Sequence, residues 1–132
     1  MTNAPATHSR KVLVVDDSRT VRAHLAHVLE ELGVTVIFAA DGLQGIEQFR
    51  ANPDLSLAFV DVSMPNLDGI SMIEQLSSEW GSQGKALPPI IMVTTENSKE
   101  MVNRARGAGI KGWIVKPFSP DALKILAEKF AK

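Results

Sequence analysis

The sequence predicts an α/β fold in which five helices cover both faces of an open, five-stranded parallel sheet. Three observations predict it. Short apolar runs rich in β-branched residues alternate five times with amphipathic helical stretches along 132 residues. The apolar runs lack polar alternation, as is typical of strands buried on both faces. A closed barrel of eight such units needs roughly 250 residues, so the sheet is expected to be open.

The first two units follow a polar arm over residues 1–10, which has no hydrophobic period. Strand 11–15 precedes a helix with Ser18 as its N-cap and Gly33 as its C′ residue. The apolar stripe of this helix consists of Val21, Leu25, Val28, Leu29 and Leu32. Strand 34–39 precedes a second helix that ends near an Asn-Pro pair. The apolar face of that helix consists of Leu43, Ile46 and Phe49.

The remaining three units repeat this order. Strand 55–60 leads through a turn-rich loop at 61–69 into a helix with one apolar side: Ile70, Ile73, Leu76 and Trp80. Strand 90–93 precedes a more polar helix at about 97–107. Strand 112–115 precedes a last helix that begins at a Ser-Pro pair, a cap followed by an N1 proline. Its buried face is expected to be Leu123, Leu126 and Phe130.

Composition excludes several classes of protein. With 14 basic and 15 acidic residues the chain lacks the basic excess of a nucleic-acid binder. The absence of cysteine excludes disulfides, thiolate metal sites and a cysteine nucleophile. No apolar run approaches the roughly 18 residues of a membrane span, and residues 1–11 lack the apolar core of a signal peptide. We therefore expect one cytoplasmic domain over residues 11–132, with no nucleic-acid or membrane partner.

Charged and hydroxyl side chains follow the predicted strands at the point where each strand ends. These residues are Asp16, Asp17, Asp61, Thr94 and Lys116. Open parallel sheets place their sites at this edge, so the five side chains are expected to converge. Two carboxylates about 5 Å apart repel by roughly 3 kcal/mol at an effective dielectric constant near 20. A hard divalent cation would relieve that strain, and an all-oxygen ligand set favours Mg²⁺, or Mn²⁺, over zinc or copper.

A carboxylate, a hard metal site, a hydroxyl and an ammonium group are the components of phosphoryl transfer. Asp61 follows the middle one of the five strands along the chain and is the natural acceptor. Any single Asp after a strand is more often a turn residue or a helix cap. Five such residues at one sheet edge are much harder to explain that way. The electrostatic strain also predicts that Asn at position 16 or 17 stabilises the metal-free protein, by about 1–3 kcal/mol.

Four motifs carry a resemblance to a known family. They are VVDDS at 14–18, FVDVSMPNLDG at 59–69, VTTE at 93–96 and GWIVKPF at 112–118. With them, residues 10–131 resemble the receiver domain of two-component response regulators, most closely its free-standing chemotaxis members. The resemblance implies a flavodoxin-like, three-layer α/β/α sandwich with strand order 2-1-3-4-5. That strand order comes from the family resemblance alone.

The resemblance also implies a role for each motif residue. Asp61 matches the phosphoacceptor, and Thr94 and Lys116 match the groups that contact the phosphoryl group. The residues that match the Mg²⁺ ligands are Asp16, Asp17, Asp61 and the main-chain carbonyl of Ser63. The bond between Lys116 and Pro117 is typically cis in this family, an isomer that X-Pro bonds reach at low cost.

Three positions depart from the commonest family pattern or tune it. Trp113 occupies the aromatic switch position, where Tyr or Phe is more frequent, and core packing is the alternative role for it. Ser63 and Glu96 match positions that control how water reaches the acyl phosphate. We expect the short Ser63 side chain to position water poorly, which would prolong the life of the phosphoryl group.

The implied function is a signalling switch that takes its phosphoryl group from a histidine kinase. Its output would be protein binding through the face formed by the fourth helix, fifth strand and fifth helix, with the flagellar motor switch as one target. A phosphate sink, a relay intermediate and a phosphorylation-independent adaptor are alternatives. An aspartyl-phosphate phosphatase would need a second Asp where Ser63 stands, and a flavin phosphate would be repelled by Asp16 and Asp17. We therefore expect no enzyme activity beyond self-phosphorylation and autodephosphorylation.

Overall fold

The computed structural model describes residues 10–131, which form five strands and five helices in strict alternation. The strands are β1 (Lys11–Val15), β2 (Thr35–Ala39), β3 (Leu57–Val60), β4 (Ile90–Thr94) and β5 (Gly112–Val115). The helices are α1 (Arg19–Glu30), α2 (Gly42–Ala51), α3 (Gly69–Ser82), α4 (Lys99–Gly107) and α5 (Pro120–Phe130). Of the predicted arm, residues 1–9 lie outside the described residues. Within 10–131 no helix is both long and apolar enough to cross a membrane.

The five strands form one parallel sheet in the order β2-β1-β3-β4-β5, which confirms the predicted topology. The register aligns the carboxyl ends of the central strands, because Val15 pairs with Val60. Pairing continues one residue further, where the Asp61 amide donates to the Val15 carbonyl at 2.9 Å. The residues that follow β1 and β3 therefore emerge side by side at one edge of the sheet.

Side chains that alternate along each strand build a separate core on each face of the sheet. On one face Leu13 and Val15 pack with residues of α2, α3 and α4. On the other face Val12 and Val14 pack with residues of α1 and α5. These strand side chains are fully buried, which explains why their sequences show no polar alternation.

Each of the five helices in residues 10–131 begins with a side-chain cap that accepts a hydrogen bond from an amide three residues later. The N-caps are Ser18, Asp41, Asp68, Ser98 and Ser119. Such a cap stabilises a helix by about 1 kcal/mol relative to alanine. The caps of α1 and α5 were predicted from the sequence, and the structure adds the other three.

Some predicted details were wrong. Leu43 was placed on the buried face of α2 but is 51% exposed, whereas Phe49 is fully buried. The first helix ends at Glu30, so Gly33, with a positive φ of 77°, lies beyond the C′ position. Strands β2 and β3 begin later than predicted, although Val34 and Leu55 are buried. At the starts of β2 and β3, apolar character therefore indicated burial but not the first residue of strand pairing.

Candidate functional site

The three carboxylates predicted to converge lie together at the carboxyl edge of the sheet. One oxygen from each of Asp16, Asp17 and Asp61 can be chosen so that all three lie within 4.8 Å of one another. Asp16 and Asp61 are buried, whereas Asp17, the next residue along the chain from Asp16, is exposed. The cluster therefore has two oxygens inside the protein and one open to solvent.

Lys116 supplies the positive charge in this cluster. Its Nζ donates to Asp16 Oδ2 at 2.7 Å and to Asp61 Oδ2 at 3.2 Å. The peptide bond between Lys116 and Pro117 is cis, as the resemblance implied. One ammonium group is thus shared by two buried carboxylates, and the Asp17 carboxylate adds a further negative charge close by.

The pKa values of Asp16 and Lys116 reflect this excess of negative charge. Burial raises the pKa of Asp16 above its usual value, and the hydrogen bond from Lys116 does not fully offset that effect. Burial lowers the pKa of Lys116, but the hydrogen bonds and negative charges of Asp16 and Asp61 outweigh it, so this pKa is raised overall. The ionised form of Asp16 is therefore disfavoured by folding, while the charged form of Lys116 is favoured.

Thr94 and Trp113 both contact the segment between β4 and α4. The fully buried Thr94 uses its Oγ1 to accept a hydrogen bond from the Glu96 amide at 3.2 Å. The indole Nε1 of Trp113 donates to the Glu96 carbonyl at 2.9 Å. Trp113 is half-buried and packs against the core on the α2, α3 and α4 side of the sheet. A main-chain segment next to the site is therefore connected to an aromatic residue of β5.

The loop that follows Asp61 returns closely onto it. A Cβ at Gly69 would lie 2.0 Å from the Asp61 carbonyl oxygen, so only glycine fits there. The Gly69 amide donates to the Val62 carbonyl at 2.9 Å, closing the loop at its base. Ser63 is exposed within it. Among the residues that the structure describes, the Ser63 carbonyl accepts no backbone hydrogen bond.

This donor set fits a divalent cation of the Mg²⁺ type. Carboxylate and carbonyl oxygens are the ligands that Mg²⁺ and Mn²⁺ prefer, and Mg²⁺ is commonly held by only one or two carboxylates plus water and phosphate. The carboxylates available among the described residues are those of Asp16, Asp17 and Asp61, and the Ser63 carbonyl is the further ligand that the resemblance implied. Lys116, which is already hydrogen-bonded to two of these carboxylates, would compete with the cation for their negative charge.

Two residues near the site were not singled out from the sequence. Asp41 is buried and caps α2, and it also accepts a hydrogen bond from Asn66 Nδ2 at 2.7 Å. Asn66 belongs to the loop after Asp61 and has a positive φ of 68°. A signal for Asp41 was present, since it is an acid just beyond the end of β2. It was missed because Ala40 separates it from the end of the strand, whereas Asp16 and Asp61 directly follow theirs.

An open parallel sheet with an acidic carboxyl edge is typical of the class of α/β domains that place their binding site beyond the strand ends. The profile of the response regulator receiver domain matches residues 12–128. The chain therefore belongs to the response regulator receiver domain family.

Individual relatives agree with this assignment. The chemotaxis protein CheY1 of Helicobacter pylori is 39% identical over 115 residues, covering 86% of this chain and 90% of that protein. Chemotaxis protein CheY4 of Vibrio cholerae superimposes with a TM-score of 0.81 at 31% identity, covering 92% and 98% of the two chains. A structure of the CheX–CheY–BeF₃–Mg²⁺ complex from Borrelia burgdorferi gives a TM-score of 0.81 at 25% identity, with coverage of 93% and 90%.

Proposed function

We propose that this protein accepts a phosphoryl group on Asp61 from a histidine kinase, with Mg²⁺, and signals by phosphorylation-dependent protein binding. The observation that carries the proposal is the environment of the Asp61 carboxylate. It lies within 4.8 Å of oxygens from two further carboxylates, and it accepts a hydrogen bond from Lys116. A nucleophile, hard-metal donors and a fixed ammonium group are thereby combined at one point.

The chemistry follows from these groups. A carboxylate oxygen of Asp61 forms a bond to phosphorus as the bond from phosphorus to the donor's imidazole nitrogen breaks, and the electron pair returns to the imidazole. Bound Mg²⁺ would neutralise charge on the transferred oxygens. Lys116 and the Thr94 hydroxyl are the donors that would stabilise the product, an aspartyl phosphate. The Thr94 hydroxyl can donate to the phosphoryl group while its oxygen accepts from the Glu96 amide. A movement of Thr94 towards the phosphoryl group would therefore displace Glu96, whose carbonyl accepts from Trp113.

The output surface proposed here is the face of α4, β5 and α5. Val115 of β5 is 43% exposed and Ile125 of α5 is 66% exposed, so apolar side chains are available for a protein partner. A complex with CheX is seen for the Borrelia relative. The flagellar motor switch, a phosphate sink and a relay intermediate are different uses of the same phosphorylated state. A kinase donor of this type implies a cytoplasmic location.

The proposal is tested by labelling with acetyl phosphate. We expect the wild-type protein to gain one phosphoryl group only when Mg²⁺ is present, measured as intact mass, because the metal is needed to offset the charge of the clustered carboxylates and the incoming phosphoryl group. Asp61→Asn should remain unlabelled. Asp54→Asn, which changes an exposed acid in a surface pair with Lys11, is the matched control and should label normally. Equal labelling of wild type and Asp61→Asn would refute the assignment.

The short Ser63 side chain leads to a second prediction. We expect Ser63→Asn to shorten the life of the phosphorylated state several-fold, because a longer amide can hold a water molecule near the acyl phosphate. The loss of label from purified phosphoprotein measures this lifetime. Ser63→Ala is the control and should decay at the wild-type rate. If phosphorylated Ser63→Asn loses its label at the wild-type rate or more slowly, Ser63 does not prolong the life of the phosphoryl group.

A further inference from the structure

We propose that Asp41 and Asn66 form a positioning pair, which fixes the loop after Asp61 so that the Ser63 carbonyl is preorganised to bind the metal. Asp41 lies just beyond the end of β2 but is outside the cluster of Asp16, Asp17 and Asp61, and Asn66 lies in the loop after β3. The inference deepens the proposed function and rests on it, since it concerns the metal that the same site would use.

The two carboxylate oxygens of Asp41 have different partners. Oδ1 accepts from the Gln44 amide at 2.8 Å and so caps α2. Oδ2 accepts from Asn66 Nδ2 at 2.7 Å, a contact between residues 25 positions apart. Both hydrogen bonds lower the pKa of Asp41, so the carboxylate is ionised at neutral pH and the contact with Asn66 is charge-assisted. Helix capping alone explains only the first oxygen.

A second contact holds the same loop against the same helix end. The Gly42 amide donates to the Leu67 carbonyl at 3.1 Å. A Cβ at Gly42 would lie 2.4 Å from that carbonyl oxygen, so the approach requires glycine. The loop is therefore joined to the N-terminus of α2 by a side-chain contact and a main-chain contact at adjacent residues.

The conformation of Asn66 connects this anchor to Ser63. Asn66 has a positive φ of 68°, a region that Asn tolerates better than most residues. Ser63 lies three residues before Asn66. The residue before Ser63, Val62, accepts a hydrogen bond from the Gly69 amide, which closes the base of the loop. The main chain is thus held on both sides of Ser63, at Val62 and at Asn66, and we infer that this restricts the orientation of the Ser63 carbonyl. Polar partners of this kind, one step removed from a metal ligand, commonly change metal affinity about 10–100-fold when they are replaced.

The test exchanges the two residues of the pair, so that the carboxylate and the amide swap positions. Asn66→Asp places two carboxylates at hydrogen-bond distance and should separate them. In the double variant Asp41→Asn with Asn66→Asp, the amide at position 41 can cap α2 through its oxygen and donate through its nitrogen to the new carboxylate at position 66. The total charge equals that of wild type, and both residue types tolerate the positions they would occupy. Asp41→Asn alone is the control, because the Asn66 amide can rotate to accept from it.

Two readouts are independent of phosphorylation. We expect Asn66→Asp to weaken Mg²⁺ binding about tenfold in calorimetric titrations, and the double variant to restore most of it. In the metal-free protein, hydrogen–deuterium exchange over residues 62–69 should accelerate in Asn66→Asp and return towards wild type in the double variant. Exchange over β1 should be unchanged in all of them, which separates loop positioning from global unfolding.

The outcomes are separable from those of the proposed function. If Asn66→Asp binds Mg²⁺ as wild type does, or if the double variant is no better than Asn66→Asp, the positioning role is wrong even where Asp61 labels normally. If wild-type protein binds Mg²⁺ but is not labelled at Asp61, the proposed function fails while the positioning role stands. Restoration of both Mg²⁺ affinity and loop protection in the double variant supports the pair.

Discussion

Asp16→Asn is expected to stabilise the metal-free protein by about 1–2 kcal/mol at neutral pH, while weakening Mg²⁺ binding at least tenfold. The Asp16 carboxylate is buried, and within residues 10–131 it shares the Lys116 ammonium group with Asp61, while Arg22 contacts only its main-chain carbonyl. Asn retains an oxygen for the Ser18 amide, which Asp16 Oδ1 holds at 2.9 Å. Lys116 loses its contact with position 16, because the Asn Nδ2 is a donor and cannot accept from an ammonium group, but it retains Asp61 as its charged partner.

The pH dependence has a definite sign. Burial raises the pKa of Asp16 in the folded state, so the folded protein binds this proton more tightly than the unfolded chain does. The stability contributed by Asp16 therefore falls as pH rises from its usual pKa of 3.8 through the raised value. On acidification through the same window, wild-type Asp16 becomes protonated and resembles Asn. The advantage of Asp16→Asn should therefore shrink towards low pH.

Thermal or urea unfolding without metal, repeated at several pH values, measures this effect. Asp17→Asn is the matched control, because Asp17 is exposed at the same cluster and should stabilise much less while also reducing Mg²⁺ affinity. The clustered charges in the sequence predicted a higher unfolding free energy for Asn at either position. Because Asp16 is buried and Asp17 is exposed, we expect most of this increase at position 16. A lower unfolding free energy for Asp16→Asn, or a gain independent of pH, would contradict it.

The bounds of some strands could be predicted from the sequence, but the order of the strands in the sheet could not. The strands Lys11–Val15 and Gly112–Val115 have the bounds predicted from sequence, because each apolar run ends where polar residues begin. Of these two strands only the first is buried on both faces, whereas the residues of Gly112–Val115 are half-buried or exposed at the sheet edge. An apolar run does not, however, indicate which strands lie beside it in the sheet. A run that is apolar on both faces fits any central position, so the order of the sheet came with the family resemblance.

The site was also predicted only in part: the sequence indicated which side chains meet, but not how each is buried or held. Convergence of the charged residues followed from the rule that parallel strands share one carboxyl edge. The rule does not decide which of two adjacent acids is buried, and Asp16 and Asp17 differ in that respect. The contact of Asp41 with Asn66 could not be predicted at all. It joins residues 25 positions apart through a helix cap and a left-handed loop residue, and neither feature has a periodic signal.

Lys116→Met is expected to have the opposite effect to Asp16→Asn, destabilising the metal-free protein by about 2–4 kcal/mol at neutral pH. The two buried carboxylates that share its Nζ would be left without a positive partner. Because the pKa of Lys116 is raised above its usual value of 10.5, its stabilising charge is fully present at neutral pH and is lost only as pH rises through the raised value. Met retains similar length and apolar contact, so charge is the main change.

The same substitution should tighten Mg²⁺ binding, since the cation would no longer compete with an ammonium group for Asp16 and Asp61. Opposite signs in two measurements, lower stability without metal and higher affinity for it, distinguish loss of a counter-charge from general damage to the fold. Lys124→Met is the matched control: its pair with Glu31, at 3.3 Å, is partly exposed and should contribute at most about 1 kcal/mol. Addition of Mg²⁺ should restore much of the lost stability of Lys116→Met, because the metal supplies the missing positive charge. Weaker Mg²⁺ binding by a folded Lys116→Met protein would show that Lys116 organises the carboxylates and does not merely balance their charge.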